Sequence, residues 1–358
     1  MSLPAPARRP TLLFLVTEDW YFVSHRLPLA AAAVAAGYRV VVATRVQDHA
    51  DAIRETGAEL LPLGWRRSGN TPLSQLRALA EVIGVYRELE PDLTHHVALK
   101  PVVFGTIAAW RCGVAARINA AAGLGFVFSS TGWRAKLLRP ILALALRLML
   151  RGSHQRVIVQ NSDDRDTLVA RRLATASQVR LIRGAGVNPA LYAGRPAASE
   201  GPPLVVLVAR LLWDKGVGDF AAAAKLLHDR GIVARFVLVG EPDRDNPGAV
   251  PESQLRQWQD AGTVEWWGRR DDVPAILGQS AIFCLPTRYG EGIPKSLLEA
   301  GAAGVAIVAS DAPGCREVIH DGENGVLVPP GDVAALTDAL ARLLADPPLR
   351  RRLRGAAA

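Results

Sequence analysis

The chain has 358 residues, 49% of them apolar, and a formal net charge of +8. That length suits two domains rather than one, and the apolar share is enough to bury two cores. No window reaches about 18 uninterrupted apolar residues, which excludes a transmembrane helix by hydropathy, and the N-terminal MSLPAPARRP lacks the length and cleavage pattern of a signal peptide. Cys112, Cys284 and Cys315 lie far apart in apolar or small-residue stretches. Buried thiols in a reducing, cytoplasmic setting are expected rather than disulfides or ligands.

In the first half, TLLFLV, RVVVATR, AELLPL, LTHHVAL, AARINAA and QRVIVQN read as strands. TEDWYFVSHR reads as the loop after the first strand and carries His25 and Arg26. LPLAAAAVAAG and SQLRALAEVIGVYREL have helical periodicity. His95 and His96 end a strand, and Lys100-Pro101 opens the next helix. Asp163-Asp164 help cap the helix after QRVIVQN. In the second half, LVVLVAR, ARFVLVG, VEWWG, AIFCLP, VAIVAS and GVLVPP read as strands. GVGDFAAAAKLLHDRG and DVAALTDALARLLAD read as helices. Strands alternating with helices predict parallel sheets covered on both faces. The Pro/Gly/Ser-rich stretch 186–203 separates the two series as a hinge. The expected fold class is α/β: two Rossmann-like doubly wound domains, 1–185 and 204–358, facing a cleft, with ligands at the carboxyl ends of the strands.

The charge is uneven. Residues 1–190 hold 24 Lys/Arg against 13 Asp/Glu, and residues 191–358 hold 18 against 21. No acidic residue occurs between Asp92 and Asp163, where nine basic ones do. Nucleic acid, a phospholipid surface and a phosphorylated small molecule all fit such a half. Within it, Lys136, Arg139, Arg147 and Arg151 fall on one face of a predicted helix whose remainder is Leu and Ile. This basic amphipathic form over 134–151 suits an anionic membrane surface better than a buried helix with a wet stripe. Nucleic acid is disfavoured, because aromatics do not interleave with the basic residues.

VARLLWDKGVGDF ends a strand at Arg210 and opens a helix at Lys215-Gly216. Two cations at a helix N-terminus make a diphosphate site; an ordinary charged loop is the alternative. RYGEGIPKSLLEAGAAG holds Glu291 and Glu299. Pro294 starts a helix there, placing Glu291 in a loop and Glu299 in the helix, so they do not act as one acid/base pair. Gly292 and Ile293 offer backbone N–H groups to an anion. Asp243-Arg-Asp245 has a metal-binding form, but a solvated turn is favoured. Among His25, His95 and His96, positions at the expected strand edge favour a role for at least one, although a lone histidine is more often structural.

Together these residues resemble the retaining glycosyltransferases of the GT-B fold, family four (group 1). VARLLWDKG and EGIPKSLLE, with VEWWGRRDDVPAIL between them, look like that family's diphosphate segment and its Glu-x7-Glu motif. THHVALKPVVFG, QNSDDRD and SHRLPLA look closest to a bacterial subgroup that builds surface polysaccharide or extends sugars on polyprenyl diphosphate. The resemblance implies a hexosyltransferase with an acceptor domain at 1–185 and a donor domain at 204–358. It implies that Arg210 and Lys215 neutralise the diphosphate of a UDP-sugar, often a UDP-N-acetylhexosamine. Glu291 then meets donor-sugar hydroxyls and Glu299 the ribose. Gly292, Ile293 and Pro294 support sugar and phosphate, and Gly268 and Arg269 edge the base. His96, or less so His95, approaches the sugar. His25, Arg26 and Lys100 are acceptor-side candidates. No cofactor and no metal are expected. The implied acceptor is lipid-linked or a glycan, and the implied place is the inner face of the cell membrane, peripherally bound through 134–151. The loop TEDWYFVSHR departs from the family's glycine-rich form. Residues past Asp346 are too few for the family's crossover helix, so its absence or shortening is expected. The competing readings are a nucleotide-sugar epimerase on the same fold and a non-catalytic membrane-associated scaffold.

Overall fold

The computed structural model describes residues 8–65, 71–120, 143–150, 152, 154–192 and 201–355. The described residues up to Ala185 form one compact unit, and those from Gly186 on form a second.

The first unit contains β1 (Thr11–Glu18), α1 (Asp19–Ala35), β2 (Arg39–Arg45), α2 (Ala50–Glu55), β3 (Glu59–Pro62), α3 (Pro72–Leu89) and β4 (Leu93–Val97). It continues with α4 (Leu99–Cys112), β5 (Ala116–Ala120), β6 (Gln155–Val159), α5 (Ser162–Ala170) and β7 (Val179–Leu181). Its sheet is parallel, in the order β3-β2-β1-β4-β5-β6-β7. Both faces are covered, so β1 is a continuous apolar run. Leu13 and Leu15 pack with Val82 and Tyr86 of α3 on one side, while Phe14 and Val16 pack with Phe22 of α1 on the other.

One expectation changes here. TEDWYFVSHR is not a loop: α1 begins directly after β1. Buried Asp19 in its first turn suits the positive end of the helix dipole and accepts the N–H groups of Gln47 (2.7 Å) and His49 (3.1 Å). The helix runs through Pro28 at the cost of one backbone bond. The short strand β7 went unread. Of the basic stretch 134–151, residues before 143 and residue 151 lie outside the described residues. Residues 143–149 are helical, with Leu146 and Leu150 buried and Leu144, Arg147 and Leu148 exposed.

The second unit contains β8 (Leu204–Val208), α6 (Val217–Asp229), β9 (Arg235–Val239), α7 (Glu252–Asp260), β10 (Glu265–Trp266) and α8 (Val273–Gln279). Then follow β11 (Ile282–Leu285), α9 (Lys295–Ala302), β12 (Ala306–Ser310), β13 (Val326–Val328), α10 (Val333–Ala345) and α11 (Pro347–Gly355). The sheet is again parallel, ordered β10-β9-β8-β11-β12-β13. Residues 347–355, past Asp346, form a helix packed on the second unit. In α11, Leu353 is buried and the Arg354 guanidinium donates to the Ser280 and Ala281 carbonyls, both at 3.1 Å. In each sheet the strand order reverses beside the first strand of the unit, at β1/β4 and at β8/β11. Ligands of doubly wound sheets sit outside the carboxyl ends at such points.

Candidate active site

At the β8/β11 reversal two loops are joined through their backbones. The loop after β8 makes a short 3-10 turn, Trp213–Lys215, and then Gly216 at φ +74°. A Cβ on Gly216 would lie 1.9 Å from the Pro286 carbonyl oxygen, so the loops can approach this closely only at glycine. The Asp214 carbonyl accepts from the Arg288 N–H (2.8 Å) and the Thr287 hydroxyl (3.1 Å). Arg288 also pairs with Asp219 in the first turn of α6, Nε to Oδ2 at 2.8 Å. This frame carries Lys215 to Glu291. Lys215 Nζ donates to Glu291 Oε2, and Oε1 lies 3.2 Å from the Thr287 hydroxyl as the alternative acceptor to the Asp214 carbonyl for its one proton. The two side chains are only 11% and 15% exposed.

Pro294 is the N-cap of α9, one residue ahead of the helix, so Glu291 is in the loop and Glu299 in the helix. Ile293 is buried and Gly292 half-buried. The loop rests on the one after β12: the Glu291 N–H donates to the Pro313 carbonyl (3.2 Å). Gly314, at φ +85°, would put a Cβ 1.7 Å from the Gly292 oxygen. Glu299 is also held. Lys295 lies 3.6 Å from it, and Tyr192 hydrogen-bonds to it. Burial, and then the Glu299 charge, push the Tyr192 hydroxyl above its ordinary pKa, so it stays a donor.

Arg210 lies two residues past β8 and donates to Asp243 Oδ2 at 2.6 Å. The loop 241–250 is tied to the stretch after Arg210 by Leu211 N–H to Glu241 O, Trp213 N–H to Gly248 O and Val250 N–H to Leu211 O, each 2.9 Å. Asp243 is thus an ion-pair partner rather than part of a wholly solvated turn. No group of three or more His, Cys, Asp or Glu among the described residues is arranged to hold a metal ion. The Gly268 carbonyl accepts from the Gly240 N–H at 2.8 Å, which sets the turn after β10 beside the end of β9, with Arg269 exposed.

In the first unit His95, His96 and Arg26 are buried. His96 is fully buried: Nε2 meets the Tyr86 hydroxyl and Nδ1 meets Asn119 Oδ1, both at 2.7 Å. Burial drives its pKa down to about 4. With both nitrogens engaged inside the core, His96 is a packing residue and not a group facing a sugar. His95 is buried on the opposite face, stacked on Phe14 at 5.1 Å, and burial pushes it down to about 3. Arg26 is buried too, its pKa lowered by burial, with one nitrogen donating to the His25 carbonyl. Its place inside α1's buried face removes it from the acceptor-side set. His25 is half-buried, stacked on Tyr21 at 4.2 Å. Lys100 borders a cavity. The ammonium lies 5.3 Å from the Trp65 ring, on a cavity of about 410 Å³ also lined by Ser74, Arg77 and Glu81. Burial lowers its pKa, against the opposing pull of Glu18. At the same strand edge Ala98 holds φ +78°, ψ 165°, a region that side-chain-bearing residues rarely adopt.

Asp243, Tyr192 and Thr287 were not read as site residues. The first two pair with residues remote in sequence, and no local pattern signals such a pairing. Thr287 lies beside the motif but carries no charge to mark it.

Two family models match in tandem. "Glycosyl transferase 4-like" covers residues 11–161, and "Glycosyl transferases group 1" covers residues 202–346. The N,N'-diacetylbacillosaminyl-diphospho-undecaprenol alpha-1,3-N-acetylgalactosaminyltransferase of Campylobacter jejuni is 29% identical over 92% of this chain and 88% of its own. The UDP-Gal:alpha-D-GlcNAc-diphosphoundecaprenol alpha-1,3-galactosyltransferase of Escherichia coli is 24% identical, over 76% of this chain and 72% of its own. Among solved structures, Anabaena HepE in complex with UDP-glucose superposes with a TM-score of 0.76 at 18% identity, covering 97% of this chain and 93% of that one. WaaG, a lipopolysaccharide glycosyltransferase, gives 0.72 at 17% identity, with 97% and 94% covered. With both halves matched in order and two parallel sheets of Rossmann type, the chain belongs to the group 1 glycosyltransferases of the GT-B fold and is a glycosyltransferase.

Proposed function

We propose that the protein moves a hexosyl unit, an N-acetylhexosaminyl unit foremost, from a UDP-sugar to a polyprenyl-diphosphate-linked glycan, with retention at the anomeric carbon. The observation that carries this is the Lys215–Glu291 pair across the β8/β11 reversal, with Arg210 beside the same strand end. In this reading Arg210 and Lys215 hold the diphosphate and offset the charge that grows on it as the glycosidic bond breaks. The first turn of α9 adds backbone N–H groups. Glu291 accepts from donor-sugar hydroxyls and Glu299 from the ribose. The acceptor hydroxyl attacks the anomeric carbon on the face the diphosphate leaves. The carbon–oxygen bond to phosphate breaks, and the acceptor proton passes to the departing phosphate oxygen. The names of the Campylobacter and Escherichia relatives support the acceptor class. Lys100 and the cavity beside Trp65 are the acceptor-side features that fit it.

Such an acceptor sits in a bilayer. No helix among the described residues is long and apolar enough to cross one. The exposed face of residues 143–149, with Leu144, Arg147 and Leu148, supports peripheral docking on the cytoplasmic leaflet. Arg147→Glu is expected to reduce binding to anionic liposomes; unchanged binding removes the docking claim.

A panel of nucleotide sugars, scored by thermal shift and by hydrolysis with and without EDTA, tests the donor. UDP-sugars are expected to stabilise the protein, and EDTA is expected to leave turnover intact. No stabilisation by any nucleotide would sink the reading, and loss of turnover in EDTA would establish a metal requirement.

A further inference from the structure

The donor site holds its own counterions. Arg210 meets Asp243, Lys215 meets Glu291, and each carboxylate is 15% exposed. The two acids differ in what remains for them to do. Glu291 has a place on the sugar side in the reading above; Asp243 has none. Nor does Asp243 swing in from solvent. Its loop is strapped to residues 211–213 by three backbone bonds, and its own carbonyl accepts from the Asn246 N–H at 2.8 Å. A guanidinium receives carboxylate and phosphate in the same planar fork, so the two anions contend for one cation.

We propose that Asp243 is an intramolecular competitor of the donor diphosphate for Arg210 and thereby tunes release of the spent nucleoside diphosphate. The proposal rests on the reading of Arg210 as a diphosphate cation. When the diphosphate binds, it takes Arg210 from Asp243. When it leaves, Asp243 returns, so the departing nucleotide does not strand a partly buried cation without a counterion. No bond to carbon or phosphorus changes in this exchange.

Calorimetric UDP binding to the wild type, Asp243→Asn and Glu241→Gln, at one ionic strength, provides the test. Glu241 is an exposed carboxylate two residues away, so its variant removes the same charge without touching Arg210's partner. Asp243→Asn is expected to bind UDP on the order of tenfold tighter, the scale of one hydrogen bond between charged groups. Product inhibition by UDP should strengthen to match. Glu241→Gln is expected to change affinity by less than about twofold, as exposed charges do. Equal or weaker binding by Asp243→Asn overturns the proposal, as does equal tightening in both variants. Failure of the wild type to bind UDP overturns the donor-site reading along with it. Asp243→Ser, which retains a hydroxyl for the loop, takes the place of the Asn variant if that one does not fold.

Discussion

Lys215 and Glu291, 76 positions apart in sequence, meet as one ion pair over the gap between two strand ends. Each is mostly buried, so removing either strips the other of its ion-pair partner. Lys215→Ala and Glu291→Ala are each expected to lower stability by about 3 kcal/mol, and the double variant by less than the sum of the two. Thermal melts of all four proteins check this; additive losses would mean that the contact carries no coupling. Glycosyl transfer by Lys215→Ala should fall by roughly a hundredfold or more, as for the loss of one preorganised charge at a leaving group.

Glu299 is pinned by Lys295 and Tyr192. If it holds the ribose, Glu299→Ala should weaken UDP binding by about tenfold or more, the scale of a hydrogen bond to a charged group. The variant should bind UDP and 2'-deoxy-UDP nearly alike, where the parent favours the ribonucleotide. Titration of both nucleotides decides it; an undiminished preference would move the ribose contact elsewhere.

His95 and His96 are held neutral far below their ordinary pKa of about 6.5, at about 3 and about 4, chiefly by burial. The unfolded chain therefore binds more protons than the folded one between about pH 4 and 6.5. The stability from this pair is full above about pH 6.5 and is lost as the pH falls through about 4 for His96 and about 3 for His95. The pair should contribute a slope of up to about 2.7 kcal/mol per pH unit near pH 5. Denaturant melts at stepped pH should show His95→Phe flattening this slope by about half of that contribution. An unchanged slope would mean that His95 is protonated in the folded state.

Ala98 keeps a glycine-like backbone at the start of α4, where its N–H donates to the Ala120 carbonyl at 3.0 Å. Ala98→Gly should relieve strain worth about 1–3 kcal/mol and return part of it as chain entropy. A net gain of about 1 kcal/mol is expected by chemical denaturation. A loss would show that the alanine methyl makes up for its backbone.

The order of strands and helices was legible because both sheets are buried on two faces. Strands such as β1, β8 and β9 are then apolar runs, and most of the described helices are followed within two residues by a glycine or a charged residue. Where these signals fail, so did the reading. Helix α1 hides behind three aromatics and an internal proline, and β7 is only three residues long. In the second unit Arg210, Lys215, Glu291 and Glu299 lie in contiguous motifs, and the loop and helix positions of the two glutamates follow from Pro294. Their partners Asp243 and Tyr192 are set by tertiary folding alone. His96 shows the opposite limit. It lies one residue from the strand end, yet the two-residue period of a strand turns it inward to Tyr86 and Asn119.

The contacts at Gly216 and Gly314 join three loops of the second unit main chain to main chain, with no room for a side chain between them. The scaffold of the site is therefore written in peptide groups that every residue type supplies. Side chains projecting from that scaffold can be exchanged without re-laying it. If the site binds a nucleotide sugar as proposed, a library that varies exposed side chains around it while keeping both glycines and the Arg288–Asp219 pair tests whether donor preference changes without loss of the fold.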